Sequence, residues 1–585
     1  MTTAFLNPGI ALLFRVSRRL AYPTVITACI TLYSPAPVWM IAPNWCLCVL
    51  VYLWTQSLLR RRRQKQEMGE LGAVEAPVHQ GKWPGNLDLM LQMLKQAKEG
   101  YPQDNVARHV REHGLVYQIT IMGESRIVTS DPNHMKAILA TDFQSFEKGD
   151  FFRRQMSSVL GTGVFNSDGD LWKFHRSMSR PFFSRDRISD FETFGQHADE
   201  ALAAIRARAG APIDVQDVLF RFTLDSATEF LLGSCVHSLY ALLPPDVDGR
   251  RPPISVTAEE FGPALARVQH RLATRARTSP LWPLIEIFGD KTKKDMNIIR
   301  RFVTPIIDDA LRRKRKLVKG VEHVEGTAAD ERQTLLDQLI DVTDDAKLIA
   351  DETLNILLAG RDTTAGTLTF SLYFLASHPN VLKRLRDEIL ERVGSTRYPD
   401  FDDLKEMKYL RAFINETLRL FPAVPGNVRY SAKATVLPPT VPGGKPIYVP
   451  ANSKTVYLTM AMQRNKDVWG PDAELFDPDR FLDDRVQKYL VPNPFSFIPF
   501  NAGPRICLGQ QFAYNEMSFF LVRFLQAFDR IELAPDAQPA GTLPPDSWIT
   551  SDGRKRIERI RPKSDLTMSV TGGLWVRCRE AEKDV

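Results

Sequence analysis

The chain has 585 residues, 44 % of them hydrophobic and 25 % charged. That composition folds around a large core and excludes a disordered protein. A net charge of +7 spread over this length is too mild to point to nucleic acid. The six cysteines, Cys29, Cys46, Cys48, Cys235, Cys507 and Cys578, are too scattered for a disulfide framework and show no paired zinc-site spacing. No self-similarity appears at periods of about 20–50 residues, which excludes a repeat array.

The first sixty residues differ from the rest. Residues 21–33 are mostly apolar but short for a span. Residues 38–59 are longer and carry Trp39, Trp45, Tyr52 and Trp54, with Pro43 and Asn44 interrupting them. A span needs about 20 apolar residues, with aromatic residues favoured at the interfaces. Arg60, Arg61, Arg62, Arg63 and Lys65 follow directly, and such a cluster stays on the cytosolic side. Arg15, Arg18 and Arg19 form a second basic cluster ahead of the first apolar run. Two topologies fit: one span with a lumenal N-terminus, or a hairpin with both basic clusters cytosolic. A cleaved signal peptide fits poorly, because the strongest apolar run is far from Met1 and no small-residue cleavage site follows it. The expected organisation is a membrane anchor over 1–66, a hinge over 67–85 that includes Lys82-Trp83-Pro84-Gly85, and one large body over 86–585.

In the body, helical periodicity dominates, as at 87–96 and 335–340. The largest signal is 345–377, about 33 residues without a proline, or ~50 Å of helix. It is apolar on most sides and should be central and buried. Within it lies Ala359-Gly360-Arg361-Asp362-Thr363-Thr364. Glycine and consecutive threonines weaken a helix interior, so a local opening is expected there. Strand-like runs occur at 115–122, 446–449, 455–458 and 567–576. Residues 244–253 and 534–545 read as proline-rich loops, and the polar stretch 322–332 as disordered. The fold class is mainly α with a small β portion.

The chemistry concentrates in residues 497–513, FIPFNAGPRICLGQQFA. Cys507 lies among Gly503, Pro504, Arg505 and Gly509, in a loop whose backbone can approach a ligand closely. A helical pattern follows from Gln510. A cysteine just before a helix start, with Arg505 two residues away, is expected to favour thiolate.

The pattern Phe500-x-x-Gly503-x-Arg505-x-Cys507-x-Gly509 resembles the haem-binding loop of the cytochromes P450. The resemblance covers about residues 85–580 and is carried by four further motifs. Glu416 and Arg419 match the family's ExxR pair, and Arg480, in Phe476-Asp477-Pro478-Asp479-Arg480-Phe481, the arginine that closes it. These three are implied to support the folding of the haem pocket. Trp172 and Arg176, at i,i+4 spacing, match the pair that bonds a haem propionate. Arg505 and Arg429 resemble other propionate partners, suited to carboxylates by bidentate geometry and permanent charge. Asp362-Thr363 matches the acid–alcohol segment over the oxygen site. Thr363 is implied as a hydrogen-bond donor there and Asp362 as a source of protons through water.

The resemblance further implies haem b with Cys507 as the axial thiolate, which favours O–O cleavage, with Gly503 and Gly509 letting the loop turn close under the porphyrin and Phe500 shielding the sulfur. The implied activity is a membrane-bound monooxygenase inserting one oxygen atom of O2 into C–H bonds of hydrophobic substrates. Its partners would be NADPH–cytochrome P450 reductase and cytochrome b5, since no flavin or nicotinamide fingerprint is visible. The implied location is the endoplasmic reticulum membrane, with the catalytic domain facing the cytosol. AGRDTT, the NVRYS segment and FNAGPRICLGQQFA are similar to the fungal group that includes alkane and fatty-acid hydroxylases. Rival activities on the same scaffold are oxidation of alkylphenols or polycyclic aromatics, and a haem-thiolate isomerase or dehydratase. The intact Asp362-Thr363 pair counts against the latter.

Overall fold

The proline-free run after Asp345 is a single helix in the computed structural model, which describes residues 8–33, 37–183, 191–244, 256–318 and 334–582. Asp345 starts it, its carboxylate accepting the amide protons of Lys347 and Leu348, two donors that a helix start leaves unpaired. In chain order the helices used below are α1 (Pro8–Tyr33), α2 (Ile41–Glu70), α3 (Asp104–His113), α4 (Gly169–Ser179), α5 (Val215–Leu232), α6 (Val256–Thr278), the central α7 (Ala346–Ser377), α8 (Lys408–Leu420) and α9 (Gln510–Ala527).

Because α7 is apolar on most sides it needs partners on most sides. Its C-terminal half, with Leu368, Phe370 and Phe374, shares one core with Phe222 of α5, Phe413 of α8 and Phe519 and Phe520 of α9. Its N-terminal half, with Leu354 and Leu357, shares a second core with Phe261, Leu265 and Val268 of α6 and with Ile299 and Val303 of the helix Lys293–Val318. The expected opening at 359–364 is absent: the helix runs unbroken from 346 to 377. Thr363 and Thr367 turn their hydroxyls onto the carbonyls of Ala359 and Thr363, at 2.7 and 2.8 Å. This pairs the hydroxyls within the helix, and core packing outweighs propensity losses of at most about 1 kcal/mol per residue.

The main sheet has six strands: β1 (Val78–His79), β2 (Val116–Ile121), β3 (Glu124–Thr129), β4 (Phe146–Glu147), β5 (Asn427–Ser431) and β6 (Lys454–Tyr457), in the order β1-β2-β3-β6-β5-β4. Met122 and Gly123, both at positive φ, turn β2 into β3, as a tight hairpin requires. Arg429 on β5 stands opposite Thr455 on β6. The run at 567–576 is not one strand. It divides into Met568–Val570 and Trp575–Glu580, because Gly572 and Gly573 take φ of 78° and 88°, a left-handed backbone that breaks a strand. The stretch 322–332 and most of 244–253 lie outside the described residues.

Helices α1 and α2 lie against each other, antiparallel. Trp45 Nε1 donates to Thr24 Oγ1 at 3.0 Å, and the rings of Tyr22 and Tyr52 stack. Among the described residues, one helical stretch, Val38–Glu70, is long and apolar enough to cross a membrane, and none of its apolar window is buried. The segment 67–85 is tied to the body. Tyr448 donates its hydroxyl to Glu67, Val74 exchanges backbone bonds with Pro446 and Tyr448, and β1 pairs with β2.

Candidate active site

The two cores meet on α7, and residues 359–364 belong to neither of them. Within an otherwise buried length of helix, Ala359, Gly360 and Thr363 are half-buried. Their spacing puts them on one face. An accessible stripe amid buried helix on both sides faces a space inside the molecule. Asp362 points elsewhere. It is buried, with Arg361 Nη1 2.8 Å from one carboxylate oxygen, and the other oxygen accepts a hydrogen bond from Gln269 of α6.

A second segment converges on the same part of α7. Glu516 of α9 is buried, accepts the hydroxyl of Ser226 on α5 at 2.7 Å and is hydrogen-bonded to Thr364. Burial pushes its carboxyl up to about 7 against those bonds. Helix α9 is therefore pinned against α7 at Thr364, next in the chain to Thr363, and the loop that leads into α9 carries Cys507.

That loop is shaped by its backbone. The Cys507 amide donates to the Phe500 carbonyl and the Ile506 amide to that of Gly503, both at 3.0 Å. Gly503 has φ +66°, and a Cβ there would sit 1.8 Å from the carbonyl oxygen of Leu139, so only glycine fits. Phe500 packs its ring on Tyr514, 5.0 Å between centroids. The Cys507 side chain is accessible although protein surrounds it closely, as expected of a group facing an internal space. Burial raises its thiol, while the Gly509 amide and the Arg176 charge pull the other way. This corrects the sequence expectation. The cation beside the sulfur is Arg176 and not Arg505.

Arg505 and its neighbours form a third cluster. Its guanidinium lies 4.4 Å over the Trp172 ring and 2.8 Å from Asp168. Burial and the charge of Arg429 bring it down to about 10. Arg429 is buried on β5 over the ring of Tyr457. Lys148 is buried as well, with Nζ 3.3 Å from Asn427, and burial together with Arg429 and Arg505 holds it well below the usual lysine range. Asp168, shared with Arg153, is the carboxylate among them. The Nε atoms of Arg429 and Arg505 are buried and have no partner among the described residues. Arg176 does not join Trp172 in this cluster. Its Nη1 donates to the Ile506 carbonyl of the cysteine loop at 2.9 Å.

The ExxR residues lie apart from the internal space. Arg419 grips Glu416 at 2.7 and 2.8 Å and also bonds the carbonyls of Gln463, Ala473 and Leu475. Arg480 Nε is 3.6 Å from Glu416, and its closer partner is Asp472, at 2.9 Å.

A family model for cytochrome P450 matches residues 82–550. The chain belongs to the cytochrome P450 family. Its relatives include a cytochrome P450 monooxygenase g430 of a Fusarium species, 36 % identical over 496 residues, which are 83 % of this chain and 84 % of that protein. Cytochrome P450 52A9 of Candida maltosa is 34 % identical over 546 residues, 90 % of this chain and 95 % of the relative. Cytochrome P450 monooxygenase pvhE of Talaromyces variabilis is 32 % identical over 574 residues, 93 % and 97 % of the two chains. The protein is thus a P450 monooxygenase, an oxidoreductase that uses molecular oxygen, and the family implies a haem-thiolate cofactor and a separate reductase.

The residues present fit such a cofactor. Buried cations outnumber the carboxylate among them and carry unpaired N–H donors, an arrangement that is costly unless anionic groups complete it. The two carboxylates of a porphyrin would do so. An accessible cysteine deep in the molecule, with an amide aimed at its sulfur, suits a metal ligand. Sequence reasoning missed Lys148, Asp168, Gln269 and Glu516. None sits in a recognisable motif, and each acquires its place through contacts with residues distant in the chain.

Proposed function

We propose that this P450 is a membrane-anchored hydroxylase of long-chain alkanes or fatty acids, acting at or near the terminal carbon with haem b held by Cys507. The observation that carries the site assignment is the accessible face of Ala359, Gly360 and Thr363 at the junction of the two cores, beside the helix that continues from the cysteine loop. Bound haem would supply the activation of dioxygen. Cys507 would hold the haem iron through its thiolate, with the Gly509 amide hydrogen-bonded to the sulfur and Phe500 shielding it. Gly503 and Gly509 give the loop its turn. Arg429, Arg505 and Lys148 would neutralise the propionates, with Trp172 under Arg505 and Arg176 bracing the loop. Thr363 holds a proton on Oγ1, now donated to Ala359, and Asp362 would return protons to it. Glu416, Arg419 and Arg480 hold the fold around the site.

We place the body on the cytosolic face of the endoplasmic reticulum, with NADPH–cytochrome P450 reductase and cytochrome b5 as electron donors. The anchor is a hairpin in this reading, supported by the antiparallel contact of α1 with α2 and by basic clusters on the outer arm of each helix. A chain end is a demanding target, because a primary C–H bond is stronger than its secondary neighbours. Selectivity then rests on positioning by a narrow channel.

Turnover of dodecanoate and of an alkane, with reductase and NADPH, tests the substrate. Terminal alcohols or diacids are expected. Ready oxidation of a polycyclic aromatic with no aliphatic product would overturn the substrate class. Cys507→Ala tests the ligand: it should abolish the thiolate-type spectrum of the reduced carbon monoxide complex, and a variant that keeps that spectrum refutes the assignment.

A further inference from the structure

Away from the active site, α3 and the short strand β1 bring nitrogen and oxygen donors to one point. His79 Nδ1 on β1 lies 2.9 Å from His113 Nε2 on α3. Glu112 Oε2 lies 3.7 Å from the same His113 nitrogen, and the three donor atoms are all within 4.8 Å of one another. Two ligands about 2.0–2.1 Å from a tetrahedral metal stand about 3.3 Å apart, so these donors are close to metal-bound spacing without rebuilding the backbone. His79 and His113 are half-buried and Glu112 is exposed, which leaves one side open to solvent for entry of an ion and for a water ligand.

The surroundings hold the rings in place. The His109 ring packs on that of His79, centroids 4.1 Å apart, and its Nδ1 is 3.3 Å from the Tyr117 hydroxyl. A second cluster around His197 shows the opposite arrangement. Glu200 takes one ring nitrogen and Glu229 the other, at 3.0 and 2.7 Å, and the His197 ring is fully buried, so it offers no side open to solvent for entry of an ion.

We propose that His79, Glu112 and His113 form a binding site for a zinc-class divalent ion, with water as the fourth ligand. Two imidazoles select against the oxygen-seeking calcium and magnesium, and a compact set of two nitrogens and one carboxylate suits zinc. The site lies at a junction. β1 follows the segment that leaves α2, and its ladder with β2 is only two residue pairs long. A metal bridging β1 to α3 would clamp that segment onto the body.

The test uses the full-length, haem-loaded protein in detergent, stripped of loose metal with a chelator. Equilibrium dialysis against Zn2+, and the ligand-field absorption of Co2+ as a probe, should show one saturable equivalent that His79→Ala and His113→Ala each weaken at least about tenfold, since even residues that only orient a ligand are worth about 10–100-fold. Glu112→Gln should weaken it less. Haem content checks folding, and His113→Gln replaces His113→Ala if the latter fails to fold. Zn2+ should also slow proteolysis within 67–85 in the parent protein and not in the histidine variants. Zinc binding of equal affinity and stoichiometry in parent and variants, or no saturable equivalent in the parent, overturns the proposal.

Discussion

Gln269 of α6 donates a hydrogen bond to the buried carboxylate of Asp362 on the central helix, while the other oxygen of that carboxylate takes Arg361 Nη1 at 2.8 Å. Both oxygens are therefore engaged, and the carboxylate ties the central helix to α6.

With Asp362 in the proposed proton path, Asp362→Asn should lower turnover per haem by about 100-fold, the lower end of what a positioned acid or base contributes, and should leave haem content close to normal. Gln269→Leu should lower stability by about 1–3 kcal/mol, the cost of a lost partner to a buried charged group. Turnover in Asp362→Asn above half of the parent value would remove this residue from the path.

Arg419 is fully buried, and its guanidinium holds Glu416 together with three backbone carbonyls. Arg419→Ala should cost about 3–5 kcal/mol, because it leaves an uncompensated buried carboxylate. Arg419→Lys should also be strongly destabilising, since an ammonium cannot reproduce the planar fork. Urea denaturation with haem content as a second readout measures both. A lysine variant as stable as the parent would show that charge alone suffices.

His197 gives the fold a pH dependence. Burial favours its neutral ring, but the neighbouring Cys235 and Glu200 side chains raise it to about 11, against an ordinary value of about 6.5. The folded state then binds one proton more than the unfolded chain between those limits. The stabilisation is fully present below about pH 6.5 and is lost as pH rises toward about 11. The urea midpoint should fall more steeply between pH 7 and 9 in the parent than in His197→Gln. Parallel slopes would mean that the ring is not charged in the folded protein.

Several features needed nothing beyond the sequence. The central helix was legible from its proline-free apolar run and the cysteine loop from its glycines, because local backbone demands are written in consecutive residues. The apolar stretch ahead of Arg60 announced a helix able to cross a membrane for the same reason.

The tertiary structure decided what depends on distant partners. Helix α7 stays closed through 359–364 because two cores grip it on either side, a force that local propensity does not contain. Arg176 rather than Arg505 neighbours the Cys507 sulfur because the cation stack on Trp172 and the pairing with Asp168 draw Arg505 away. Lys148, Gln269 and Glu516, and the meeting of His79 with His113, arise from contacts across 34 to 290 residues of chain. Electrostatics and desolvation act through space, so only the folded chain shows which charges meet.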